Sequence, residues 1–255
     1  MIKEIKQKIE ELEIENNIKI LYACESGSRA WGFASPDSDF DIRFIYSRNM
    51  EDYLVINEKP DTLEFPIINN LDFSGWDIKK FLQHINKSNG VMFEWLQSPT
   101  VYEEKFNFQL ECMKLSNIYF RAKPTLYHYL GLVKRTFTDI KASEKVKIKR
   151  YFYALRPILA ALYIAENKKI PPMDIHSLLK NVKGISDINE SITNLMNEKE
   201  KSEEAFLIER IPTLDNFVEN EMSRLNEIVV DLPDDKKTPD LLNNYLYQTI
   251  SEKHD

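Results

Sequence analysis

Residues 25–45 read ESGSRAWGFASPDSDFDIRFI, and the architecture follows from how this stretch is parsed. From Phe40 to Tyr46 apolar and polar residues alternate, as in a strand with one buried face. Phe40, Ile42, Phe44 and Tyr46 share that face, which turns Asp39, Asp41 and Arg43 to the other. Two aspartates at i and i+2 on one strand stand roughly 6–7 Å apart and suit joint coordination of hard divalent cations. Upstream, the apolar run IKILYA at 18–23 reads as a short buried strand and ends in Gly27-Ser28, a turn into helix. Glycine there lets backbone approach an anion, while the serine hydroxyl and neighbouring amides can donate to phosphate oxygens. A phosphate cradle next to a carboxylate pair describes a phosphoryl-transfer site. Metal-assisted displacement usually draws on a third carboxylate; Asp72, between Leu71 and Phe73 at the end of the next expected strand, is the nominee. Asp77 is its rival, but Ser74-Gly75-Trp76-Asp77 reads as a capping box opening a helix. Glu64 and Glu94 are weaker candidates.

Working outward, Ile2, Ile5, Ile9 and Leu12 recur at helical spacing and predict an amphipathic first helix. A third strand is expected over 67–73 and a helix over 75–86, with Ile78, Phe81, Leu82 and Ile85 inward. Beyond about residue 110 the periodicity is helical, over 126–137, 146–167 and 175–182, with almost no strand-like alternation; residues 231–240 read as a loop before a short last helix. The expected fold is α+β: a small mixed sheet flanked by helices at residues 1–110, carrying the chemistry, then an all-helical domain at 111–255.

Composition narrows the function classes. The chain has 255 residues, 43% of them hydrophobic, and a net charge of -7, so a core forms readily and indiscriminate nucleic-acid coating is disfavoured. The longest apolar stretch, 154–165, is interrupted by Arg156 and Pro157 and is shorter than a membrane span, and the N-terminus is charged throughout; a soluble, cytoplasmic protein is expected. The two cysteines, Cys24 and Cys112, stand far apart, which suggests neither a disulfide framework nor a zinc site. Both read as small buried hydrophobes.

The strings SGSRAWGFASPDSDFDIRFIY, LDFSGWDIKKFL, FEWLQSP and KRYFYALRPILAA together resemble the DNA polymerase beta superfamily of nucleotidyltransferases. Gly27-Ser28 followed by Asp39-Phe40-Asp41 is similar to its GS and DxD signature, and the longer strings resemble its RlaP or YcgL-like branch, associated with RNA repair. The resemblance covers roughly residues 18–165. It implies transfer of a nucleoside monophosphate from an NTP, ATP being the expected one, to a hydroxyl on an RNA end of tRNA-like kind, with release of pyrophosphate. It further implies two Mg²⁺ ions, replaceable by Mn²⁺, on Asp39, Asp41 and Asp72, with Gly27 and Ser28 on the triphosphate and Asp72 also orienting the acceptor. Arg29 and Arg43 face the same region and could neutralise phosphates. A small-molecule or protein adenylyltransferase would use the same aspartates, and a silent RNA-binding module could retain them.

Two further patterns have both a functional and a plain structural explanation. Lys149, Tyr153 and Arg156 share one helix face, which would suit a nucleotide, Tyr153 on the base and Lys149 on phosphates; a core tyrosine with solvated charges fits the same spacing. Over 121–150 nine Lys and Arg face two acids, interleaved with Tyr127, His128, Tyr129 and Phe137. That would suit RNA, or simply a helix with a solvated cationic face; on the first pattern Arg156, like Lys149, is expected to hold phosphates. His128 reads as a structural histidine, and Trp31, Trp76 and Trp95 as core or interdomain fillers.

Overall fold

A computed structural model describes residues 1–203 and 205–252. In chain order the elements are α1 (Ile2–Asn16), β1 (Lys19–Glu25), α2 (Gly27–Trp31), β2 (Phe40–Ser47), a 3₁₀ turn (Met50–Tyr53), β3 (Thr62–Glu64), β4 (Leu71–Asp77), α3 (Ile78–Asn86), α4 (Gly90–Trp95), β5 (Val101–Glu104) and α5 (Phe108–Tyr119). There follow α6 (Ala122–Lys141), β6 (Lys145–Lys147), α7 (Ile148–Asn167), α8 (Ile175–Asn181), α9 (Ser186–Lys199), β7 (Leu207–Glu209), α10 (Pro212–Val230) and α11 (Asp240–Glu252). The chain is α+β, a mixed sheet flanked by helices and then a helical region.

Two compact units are each drawn from more than one stretch: residues 1–27, 39–119 and 236–255 form the first, residues 28–38 and 120–235 the second. The sequence reading divides the chain linearly near residue 110; the last helix belongs to the first unit and the Ser28–Ser38 segment to the second.

The first unit is built on a five-stranded sheet, order β3-β4-β2-β1-β5. β2 runs antiparallel to β1 and parallel to β4, with Phe40 opposite Leu71 and Asp41 opposite Asp72. The alternation read from the sequence holds: Ile42, Phe44 and Tyr46 are buried in one apolar cluster with Ile5, Ile9 and Leu12 of α1. The strand expected at 67–73 lies instead at Leu71–Asp77, and the helix expected from Gly75 starts at Ile78. The reason lies in Gly75, which sits opposite Phe44; a Cβ there would come within 2.1 Å of the Phe44 ring, so the glycine admits an aromatic across the sheet rather than opening a helix. Ser74 is accordingly a strand residue and no cap. Asp77 is itself the N-cap of α3, its carboxylate accepting from the Lys79 N–H at 2.8 Å and from the Tyr53 hydroxyl at 3.0 Å.

The core of the second unit is helical, α7 being its most deeply buried element, with Tyr151, Phe152, Leu155, Ile158 and Leu159 all inside. Val146, expected to begin this helix, lies in β6, which pairs with β7 as a two-stranded ribbon that the sequence reading did not foresee. Cys24 and Cys112 are buried and in no disulfide, and burial pushes the Cys24 thiol up to about 12. Among the described residues no helix is long and apolar enough to cross a membrane.

Candidate active site

The site grows from the register of two neighbouring strands. Asp41 is the second residue of β2 and Asp72 the second residue of β4; because the strands are parallel and in register at these positions, the carboxylates stand side by side on one face. Asp72 therefore lies near the start of its strand, not at its end as read from the sequence. Arg43, two residues beyond Asp41 on the same face, reaches back so that one Nη2 donates to Asp41 Oδ1 at 3.0 Å and to Asp72 Oδ2 at 2.7 Å. Its Nη1 donates to the Asp72 backbone carbonyl at 3.0 Å. Burial pushes the Asp41 carboxyl up to about 6; Arg43 opposes that shift, while Asp72 and Glu25 add to it.

The backbone of Asp41 is clasped from β1. Its N–H donates to Glu25 Oε1 at 2.9 Å, and its carbonyl accepts from the Ser26 N–H at 2.8 Å. Glu25 is buried and is held in turn: its Oε2 accepts from the Tyr102 hydroxyl, and its carbonyl from the Ser98 hydroxyl at 2.6 Å. Glu25 and Tyr102 were not singled out in the sequence. The signal that marks Glu25 is an acid closing an otherwise apolar strand; nothing local marks Tyr102, which arrives on β5.

Gly27 takes a left-handed φ of 59°, and a Cβ built on it would lie 1.8 Å from Asp41 Oδ2. The turn thus presses its α-carbon against the carboxylate, a closeness only glycine allows. The glycine of the GS pair and the second aspartate of the DxD pair are in contact. Asp39 is half-buried one residue before β2.

The remaining nominees are placed as follows. Ser28 is buried. The Arg29 guanidinium wraps the Ser38 carbonyl, Nη2 at 2.7 Å and Nε at 3.2 Å, bracing the loop within the second unit. Tyr153 is half-buried with its ring edge-on to Trp31 at 5.8 Å, and Lys149 is half-buried on the same helix. Arg156 is fully inside: its Nε donates to the Met173 carbonyl at 2.7 Å and its guanidinium lies 4.6 Å from the Trp31 ring centroid, so it is a packing group. Glu64 is exposed on the edge strand and Glu94 buried in α4. Trp95 is buried and packs against Trp76, the two rings tilted by 42° with centroids 4.4 Å apart.

Two carboxylates sharing one guanidinium nitrogen show that this pair accommodates a shared cation, which fits a divalent metal. Among the described residues no group of three acids, histidines or cysteines converges in metal-holding geometry. The pair is the unit to which a metal, with substrate oxygens completing its shell, would bind.

The chain is similar to the uncharacterized protein YcgL of Bacillus subtilis (strain 168), 39% identical over 253 residues, covering 99% of this chain and 97% of that protein. A solved structure, the nucleotidyltransferase-like protein from Exiguobacterium sibiricum 255-15, shows a slight likeness, with a TM-score of 0.32 and 13% identity over 98% of this chain and 81% of that one. The family model RlaP, RNA repair pathway DNA polymerase beta family, matches residues 1–248. With the GS turn seated on the second aspartate of the DxD pair and almost the whole chain matched, this protein belongs to the RNA repair pathway DNA polymerase beta family.

Proposed function

We propose that the protein is a metal-dependent nucleotidyltransferase that moves a nucleoside monophosphate from an NTP, ATP first among them, to a hydroxyl at an RNA end and releases pyrophosphate. The observation that carries this reading is the side-by-side placement of Asp41 and Asp72 with Gly27 closed down on Asp41. Asp41 and Asp72, with Asp39, would hold Mg²⁺, which supplies charge neutralisation at the leaving pyrophosphate and lowers the pKa of the acceptor hydroxyl. Asp72 is also the group offered to orient that hydroxyl. Gly27 and Ser28 are assigned to the triphosphate, and Arg29, Lys149 and Tyr153 to the rest of the nucleotide. The catalytic chemistry is assigned to the first unit.

The RNA acceptor draws its support from the family description rather than from the basic stretch. At least five of the nine cations of 121–150 are already engaged: Lys123 with the Val230 carbonyl at 2.7 Å, Lys141 with Glu219 at 2.8 Å, Lys145 with Glu209 at 3.0 Å, Arg150 with Asp139 at 2.9 Å, and Arg121 with Asp234. That pairing favours a second acceptor class, a small molecule or a protein hydroxyl, on the same chemistry. Incubating the protein with each α-labelled NTP, Mg²⁺ and cellular RNA, beside an Asp39→Ala/Asp41→Ala double variant, tests both. Label in RNA from the unaltered protein alone supports the first reading. Pyrophosphate release only with small molecules or proteins moves the acceptor; no turnover with any of them sinks the catalytic reading.

A further inference from the structure

Arg43 occupies the position that a bound cation would claim. Its Nη2 is shared between Asp41 Oδ1 and Asp72 Oδ2 at 3.0 and 2.7 Å. The other oxygen of Asp41, Oδ2, is turned against Gly27, so Oδ1 is the one left to face a ligand, and Arg43 holds it. Both carboxylates and the guanidinium are a fifth to a quarter exposed, so an ion arriving from solvent can reach them. A divalent ion held by the two carboxylates would compete for the same lone pairs. The two cations cannot be held together.

We propose that Arg43 is a resident counter-cation that competes with divalent metal for the Asp41–Asp72 pair, so that metal entry requires its guanidinium to leave. This rests on the proposed metal-dependent reading of the site. Without metal, two half-buried carboxylates facing each other across adjacent strands would repel, and Arg43 sets one positive charge between them. With metal, the displaced guanidinium becomes a loose positive charge beside the triphosphate that accompanies the ion. The residue is thus a positioning residue in one state and a free cation in the other.

The test reads metal binding rather than turnover. Mn²⁺ is titrated into the full chain and free Mn²⁺ followed by electron paramagnetic resonance, comparing the unaltered protein, Arg43→Met and Arg43→Lys, with Asp41→Asn/Asp72→Asn as the control that defines the site. Arg43→Met is expected to bind Mn²⁺ about tenfold to a hundredfold more tightly, the worth of a lost charge-assisted hydrogen bond. Arg43→Lys, which keeps the charge without the fork, should fall between. Equal or weaker binding by a folded Arg43→Met protein overturns the inference while leaving the metal site standing. If Arg43→Met does not fold, Arg43→Lys decides, tighter binding supporting the inference and equal or weaker binding overturning it. Absence of Mn²⁺ from the pair in every variant overturns both the inference and the metal-dependent reading.

Discussion

The start of β2 and the stretch 121–150 are both, in one dimension, concentrations of charge, and folding treats them differently. At the first, Asp41 of β2 and Asp72 of β4 converge on a single nitrogen of Arg43, because strand register brings Asp72 to a position its sequence distance does not suggest. Along 121–150 the charges disperse: Lys141 and Lys145 find partners more than sixty residues away, on α10 and β7. Lys134 and Arg135 remain on the exposed face of α6 with Tyr127. Charge density along a chain therefore says little about a site, whereas charge geometry across a sheet says a great deal. A site needs unlike groups that share a partner; a solvated face needs only that each charge have one, or water.

That contrast can be broken at several points, the largest effect first. Asp41→Asn and Asp72→Asn should each lower nucleotidyl transfer by about a thousandfold, the several kcal/mol that a metal contributes to the transition state, measured as pyrophosphate release with the melting temperature little changed. Next is Glu25→Ala, which leaves the Asp41 N–H and the Tyr102 hydroxyl without their acceptor. It should cost about 2–4 kcal/mol in chemical denaturation, and Glu25→Gln should recover much of that. Gly27→Ala meets both the left-handed φ and the Asp41 carboxylate, and should destabilise by about 2 kcal/mol or more. Gly131→Ala, on α6 with nothing within 4 Å of an added Cβ, should instead stabilise by up to about 1 kcal/mol; equal melting temperatures for the two alanine variants would contradict the close approach at Gly27. Smallest is the double change Lys134→Ala/Arg135→Ala, expected to shift stability by less than about 0.5 kcal/mol. If RNA uses this face, the same change should flatten the salt dependence of RNA binding; an unchanged slope removes the face from the interface.

How much of this was legible follows the same division. The alternation of β2 and the apolar face of α1 were readable because each is a local period with a buried side. The bounds of β4 are not legible locally, because Gly75 reads as a helix-opening residue, whereas its role, making room for Phe44 from the neighbouring strand, exists only once the sheet is paired. Asp41 and Asp72 could be named from their strands, but their adjacency is a property of register. Glu25 and Tyr102 went unnoticed since their function is to hold another residue's backbone, and such a role leaves no spacing in the sequence. Arg156, grouped with Lys149 and Tyr153 by helical phase, proved to be interior: phase gives the face, and only packing tells what covers it.

The return of α11 to the first unit has a consequence for how the protein comes into being. The Tyr119 hydroxyl donates to the Thr238 carbonyl at 2.7 Å, Lys237 Nζ donates to the Ile118 carbonyl at 2.7 Å, and Tyr245 packs its ring near Phe108. On a ribosome the sheet that carries Asp41 and Asp72 emerges early, yet the helix that finishes its unit is made only after residues 120–235. The second unit can close while the first is still waiting for its last piece. Completion of the unit that carries Asp41 and Asp72 is thereby tied to the synthesis of α11, and a nascent chain halted within α10 would display the aspartates on an unfinished support.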